Sequence, residues 1–167
     1  KQRYVKSLET TDKVKAVTEA RVMYQQITNK MSKGEKLSNL TTAELVKKYL
    51  AKEELKITDI PKQGITPHRF RVKSQCFDNW IRYIASLGLD NTPIDMINPQ
   101  KTRNFGYWMQ KQPKRGRLKY SGDSTPRSSE VINNTISEVL KCYKDIAIRD
   151  RYLSRDQVPE IDRLVNK

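Results

Sequence analysis

The chain has 167 residues, enough for one domain or for one domain with a small companion. Hydrophobic residues make up 36% and charged residues 31%, which permits a helical core of modest volume, and no apolar run approaches the roughly 18 residues of a membrane-spanning helix. The formal net charge of +14 favours a polyanionic partner, nucleic acid first and an anionic membrane surface second.

The cysteines and the single histidine argue against a disulfide and against a zinc site. Cys76 and Cys142 lie far apart on apolar helix faces, which is typical of buried thiols in a cytoplasmic protein. One histidine without clustered thiols supplies no zinc ligand set. We therefore expect no metal or other cofactor. We also expect no small-molecule substrate and no membrane partner. The first residue is Lys rather than Met, so we expect a piece of a longer protein.

Residues 1–36 predict an arm made of a short strand and a helix. Tyr4, Val5 and Leu8 suit an extended run, and Thr11 is suited to cap the helix that follows. Apolar residues then recur at helical spacing, at Val14, Val17, Ala20, Tyr24, Ile27 and Met31.

Two helix starts have clear capping signals. Thr41 to Glu44 form a T-x-x-E capping box, with Leu40 and Leu45 placed as its hydrophobic staple. Thr66 and the proline after it start a third helix, which Gly88 ends. The predicted core face of this third helix consists of Phe70, Phe77, Trp80, Ile81, Ile84 and Leu87.

Asn98-Pro99 predicts the start of a fourth helix and Thr125-Pro126 the start of a fifth. The fourth carries Phe105, Trp108 and Met109. The fifth has a nearly coiled-coil stripe made of Ile132, Ile136, Val139, Tyr143 and Ile146. The prediction is a mainly α fold, a four- to five-helix bundle over residues 37–153, preceded by the strand-plus-helix arm and followed by a linker over residues 154–167.

The cations are distributed unevenly along the chain. Residues 96–122 contain seven cations and no acid, and residues 60–77 contain four cations and no acid. Because these windows contain no acid, their cations cannot form i,i+4 ion pairs within the window, and they repel one another unless a polyanion neutralises them. A surface that serves only solubility is the simpler alternative.

Both windows lie at or near predicted helix starts, where free N–H groups and a partial positive charge favour phosphate. We expect contacts to the backbone of duplex DNA, which fix register without reading sequence. Four aromatic residues have the helical spacing of the predicted core faces, namely Phe77, Trp80, Phe105 and Trp108. We therefore expect Tyr107 and Tyr120 to be the aromatics nearest the ligand. The candidate DNA-binding residues are His68, Arg69, Arg71, Lys73, Lys101, Arg103, Lys111, Lys114, Arg115, Arg117, Lys119, Arg127 and Ser128.

Several stretches resemble the part of the tyrosine recombinases (phage integrases) that precedes their catalytic domain. "SLETTDKVKAVTEA" is similar to the segment in which a strand leads into an Ala-bearing helix, and "LTTAELVKKYLAKEEL" is similar to the first helix of the core-binding domain. "TPRSSEVINNTISEVLKCYKDIAIRDRYLS" resembles the long last helix of that domain. The resemblance implies a helical bundle that forms half of a clamp around duplex DNA at the core attachment site, with other recombinase protomers bound alongside.

The resemblance does not extend to catalysis. His68 to Arg71 have the His-x-x-Arg spacing of the recombinase active site, but they open a helix in a chain too short to contain the catalytic domain. The five tyrosines that follow lack a recognisable nucleophile context, so we expect no enzymatic activity. The basic insert "KQPKRGRLKYSGDST" is also longer than the usual link between these helices in the family.

Two other classes remain open from the sequence. One is a stand-alone helical nucleic-acid-binding protein, a regulator or an RNA binder. The other is a helical interaction domain whose basic face meets an acidic protein.

Overall fold

The computed structural model describes residues 10–32, 34, 40–60, 63–112 and 127–165. Its α-helices are α1 (Lys13–Ser32), α2 (Thr42–Glu54), α3 (Pro67–Ser86), α4 (Phe105–Lys111) and α5 (Ser129–Cys142). The 3-10 turns Ile94–Met96, Pro99–Thr102 and Arg155–Gln157 and the π-helical segment Tyr143–Ile148 complete the regular structure.

The mainly α prediction is confirmed. In the described part of the chain, β-pairing is limited to two isolated bridges, Thr41 with Pro93 and Ile57 with Ile65. The strand predicted at Tyr4 to Leu8 lies outside the described residues, so only the helical half of the predicted arm is observed. No helix in the described ranges has the length and apolar character to cross a membrane.

The core lies between α2, α3, α4, α5 and the π segment, and Trp80 is at its centre. The Trp80 side chain is completely buried, with its ring centroid 5.0 Å from that of Phe105 and 6.2 Å from that of Tyr143. All five residues of the stripe predicted for the fifth helix are buried. Helical spacing therefore identified these five buried positions correctly, because apolar residues recur at that spacing along this side of the helix.

The predicted caps are also observed. Thr41 and Glu44 exchange both bonds of the capping box, and Leu40 and Leu45 are both buried in the core. At the end of α3, Gly88 adopts a φ of 68°, the left-handed conformation that favours glycine after a helix. Leu87 differs from prediction, because it is the C-cap residue and its side chain is exposed rather than part of the core face.

Two predicted helix starts are wrong. Asn98 caps only the 3-10 turn Pro99–Thr102, and α4 begins separately at Phe105. The fifth helix begins at Ser129 rather than at Thr125-Pro126, since the hydroxyl of Ser128 accepts a hydrogen bond from the backbone N–H of Val131 and caps it there.

Helix α1 contains no buried residue, although its apolar residues follow helical spacing. The side chains of Val14 and Tyr24 are 76% and 73% exposed. An ion pair between Lys30 and Asp95 connects the end of α1 to the turn Ile94–Met96. The apolar pattern of α1 therefore predicted a helix correctly but does not mark a core face.

We predict that Trp80→Ala lowers the free energy of unfolding by about 3–5 kcal/mol, because it removes the ring around which the aromatic core packs. Urea denaturation followed by circular dichroism measures this change. A variant that keeps the wild-type urea midpoint would contradict the central position of Trp80.

Candidate nucleic-acid interface

The start of α3 carries an exposed basic cluster. Thr66 caps the helix by accepting a hydrogen bond from the backbone N–H of Arg69 at 3.2 Å, and Pro67 occupies the first turn. The side chains of His68, Arg69 and Arg71 are exposed, and the ion pairs found among the described residues include none of the three. Exposed cations at a helix N-terminus are well placed to meet phosphate.

The loop before α3 is held in place by close backbone contact. The backbone N–H of Ile65 donates to the carbonyl of Lys56 at 3.0 Å, and the N–H of Thr58 donates to the carbonyl of Ile65 at 3.1 Å. A Cβ atom on Gly64 would lie only 2.2 Å from the Lys56 carbonyl oxygen, so the approach requires glycine. This contact fixes where the α3 cluster begins.

The start of α5 forms a second candidate site. Arg127 and Ser128 precede the helix, rather than lying in its first turn as the sequence predicted, and Ser128 is the N-cap. Met109, near the end of α4, lines the same depression as Arg127 and Ser128. The chain therefore leaves α4 and enters α5 at the same end of the bundle.

Helices α3 and α5 pack antiparallel, which places the two sites at opposite ends. Lys73 contacts Glu138, and one turn further along α3 the Cys76 sulfur contacts the Thr135 hydroxyl at 3.5 Å. From this contact, Arg69 lies seven residues away along α3 and Ser128 seven residues away along α5, in opposite directions. At 1.5 Å per residue the two sites are roughly 20 Å apart.

A groove runs between the two sites, with a volume of about 630 Å³. Its walls include Val72, Cys76 and Asn79 from α3 and Ser128, Val131 and Thr135 from α5. Because Arg69 lies one turn before Val72 on α3, it belongs to the helix face that lines the groove. This face of the helix pair thus has the exposed Arg69 near one end and the half-buried Arg127 at the other, and the acid Asp78 also lines the groove.

Three other candidates lie around α4. The side chains of Lys101 and Lys111 are exposed and belong to no ion pair seen in the described ranges. Arg103 is also exposed, but its Nε and Nη2 both donate to the Glu160 carboxylate, the Nε at 2.9 Å. This hydrogen bond and the negative charge of Glu160 raise the pKa of Arg103.

Lys73 is not available to DNA, which corrects its place among the candidates. Its side chain is buried, and its ammonium lies 2.6 Å from a Glu53 carboxylate oxygen and 3.3 Å from a Glu138 oxygen. Burial by itself would raise the pKa of Glu53, but hydrogen bonds from Lys56 and Lys73 outweigh burial and lower that pKa to about 2. Lys73 neutralises the buried Glu53 and the partly exposed Glu138, because this turn of α3 faces both α2 and α5.

The remaining four candidates, Lys114, Arg115, Arg117 and Lys119, lie outside the described residues, as does Tyr120. The helix ends on either side of them are described and lie at the α5 end of the groove. Tyr107, the other aromatic expected near the ligand, is half exposed on α4.

Sequence reasoning missed two features of this surface. Arg82 lies with its guanidinium carbon 5.8 Å from the centroid of the Trp108 ring, and it donates to Gln112 at 3.5 Å. The C-terminal segment, predicted as a linker, packs against α4 and α5 through residue 165, with Leu164 buried. The apolar residues Val158, Ile161 and Leu164 were the only sequence signal for the second feature among the described residues, and three isolated apolar residues do not locate their contact.

Comparison of the chain with protein-family models, with curated proteins and with solved structures gives no match.

We predict that Lys73→Met lowers the free energy of unfolding by about 3 kcal/mol, because it leaves the buried Glu53 carboxylate with Lys56 alone. The folded variant should bind DNA as the wild type does, since Lys73 does not reach the surface. Urea denaturation and a DNA titration under folding conditions measure the two effects. A variant with wild-type stability but weakened DNA binding would show that Lys73 contributes to the DNA interface.

Proposed function

We propose that this chain is a non-catalytic DNA-binding module that holds duplex DNA by its phosphates. The observation that carries the proposal is the exposed basic cluster at the start of α3 together with the half-buried Arg127 at the start of α5, which lie at the two ends of the α3–α5 groove. Roughly 20 Å corresponds to about six base pairs at 3.4 Å per step, so one duplex can engage both sites. Contacts of this kind supply affinity and orientation rather than sequence readout.

The charge distribution supports duplex DNA over an acidic protein. The chain has a formal net charge of +14, and its cations include those of both basic sites and the seven of the acid-free window 96–122, which suits a long uniform polyanion. The aromatic residues favour a duplex over a single strand, because Phe77, Trp80 and Phe105 are buried in the core and cannot stack on bases.

We further propose that the module serves DNA integration and recombination as the core-binding part of a tyrosine recombinase. This rests on the resemblance of the capped α2 segment and of the α5 segment to that family, and on the order of one helix followed by a four-helix bundle. The alternative is a stand-alone helical nucleic-acid-binding protein. If the encoding gene continues into a catalytic domain with an Arg, a Lys, a His-x-x-Arg motif and a Tyr, that would favour the recombinase over the stand-alone protein.

We predict that Arg69→Gln with Arg71→Gln weakens duplex binding and flattens its salt dependence by about two units on a log–log plot, one for each lost phosphate contact. The matched control is Lys47→Gln with Lys48→Gln, which removes the same charge from the exposed face of α2. Fluorescence anisotropy across a salt series measures both. If the two double substitutions weakened DNA binding equally, the α3 cluster would not be part of the DNA interface.

We predict no covalent adduct when the chain is incubated with a nicked duplex. The sequence places no tyrosine in a recognisable nucleophile context. Tyr83 and Tyr143 are in addition buried, and burial raises the pKa of Tyr143 to about 12 and also raises that of Tyr83. Denaturing electrophoresis with labelled DNA detects a phosphotyrosyl link. A labelled protein band would overturn the non-catalytic assignment.

A further inference from the structure

Residues 158–165, here called the strap, cross the surface beside α4 and α5 and are anchored by their backbone. The Glu160 N–H donates to the Pro99 carbonyl at 3.2 Å, and the Asp162 N–H donates to the Arg103 carbonyl at 3.2 Å. The Asn133 side chain then bonds both the N–H and the carbonyl of Leu164, each at 2.9 Å. These anchors do not use any carboxylate of the strap.

The strap also lies very close to α4. A Cβ atom on Gly106 would meet the Asp162 carbonyl and the Leu164 side chain at 3.3 Å, so the glycine permits this approach. Leu164 is buried in the same core cluster as Phe105. The position of the strap is therefore fixed by packing and by main-chain hydrogen bonds.

The anchored strap brings acids to a window that has none in the sequence. Residues 96–122 contain seven cations and no acid, yet the Glu160 carboxylate accepts from two nitrogens of Arg103. The two side chains are 52% and 48% exposed, so water and salt reach the pair. An exposed ion pair of this kind is weak and exchanges readily with another anion.

We propose that Glu160 occupies the position of a DNA phosphate at Arg103 and is displaced when DNA binds, so that the strap tunes the affinity of the interface. The inference rests on the proposed function. In this pair a single carboxylate oxygen accepts from both guanidinium nitrogens, and a phosphate oxygen can accept charge-assisted hydrogen bonds from a guanidinium in the same way. Because the backbone anchors are independent of this pair, the carboxylate leaves Arg103 while the strap stays docked.

The test compares Glu160→Gln with Glu54→Gln in the intact chain. Both substitutions remove one exposed acid, but Glu54 lies at the end of α2 and makes no ion pair within the described ranges. We expect Glu160→Gln to tighten binding to a 30-base-pair duplex at low salt by about two- to fivefold more than Glu54→Gln does. The thermal midpoint should stay close to that of the wild type, because the anchors remain.

The same comparison in an Arg103→Gln background separates the local effect from general charge. There, Glu160→Gln should have no more effect than Glu54→Gln, since no guanidinium remains to be released. If the wild-type chain binds DNA but Glu160→Gln and Glu54→Gln have equal effects on its affinity, the proposed role of the strap is wrong while the proposed function still holds. Absence of DNA binding by the wild type would overturn both.

Discussion

The antiparallel packing of α3 against α5 determines where this chain can present positive charge. One turn of the contact is polar, with the Lys73 ammonium held between Glu53 and Glu138, and the next joins Cys76 to Thr135. Because the helices run in opposite directions from this contact, their N-terminal ends point away from each other. The N-terminal end of α3 carries the exposed Arg69 and Arg71, the N-terminal end of α5 carries the half-buried Arg127, and the groove lies between them. The spacing of the two basic sites thus follows from the helix packing.

The cations of the described residues differ in their physical roles. Lys56 and Lys73 neutralise the buried Glu53, where removing one partner would leave an uncompensated charge. Arg69, Arg71 and Lys111 are exposed cations outside the ion pairs of the described ranges, and neutralising them requires an external anion. Arg103 is intermediate, since its partner Glu160 is itself exposed and replaceable. Total charge alone does not distinguish these groups.

The sequence predicted the features that depend on local chemistry. The capping box of Thr41 and Glu44, the glycine end of α3 and the buried stripe of α5 each depend on residues within a few turns of one another. Lys73 and Glu160 could not be placed in this way, because their partners lie 20 and 57 residues away and are found only by packing. The start of α5 was misplaced because Thr125-Pro126 and Ser128 both carry a helix-start signal, and sequence alone does not rank them.

The most direct test of the account is the salt dependence of binding to a 30-base-pair duplex and to its matching single strand, measured by fluorescence anisotropy. Five to eight phosphate contacts predict tighter binding to the duplex, with a log–log slope between about −4 and −7. Tighter binding to the single strand, or binding to neither, would contradict the assignment of the two basic sites to duplex DNA.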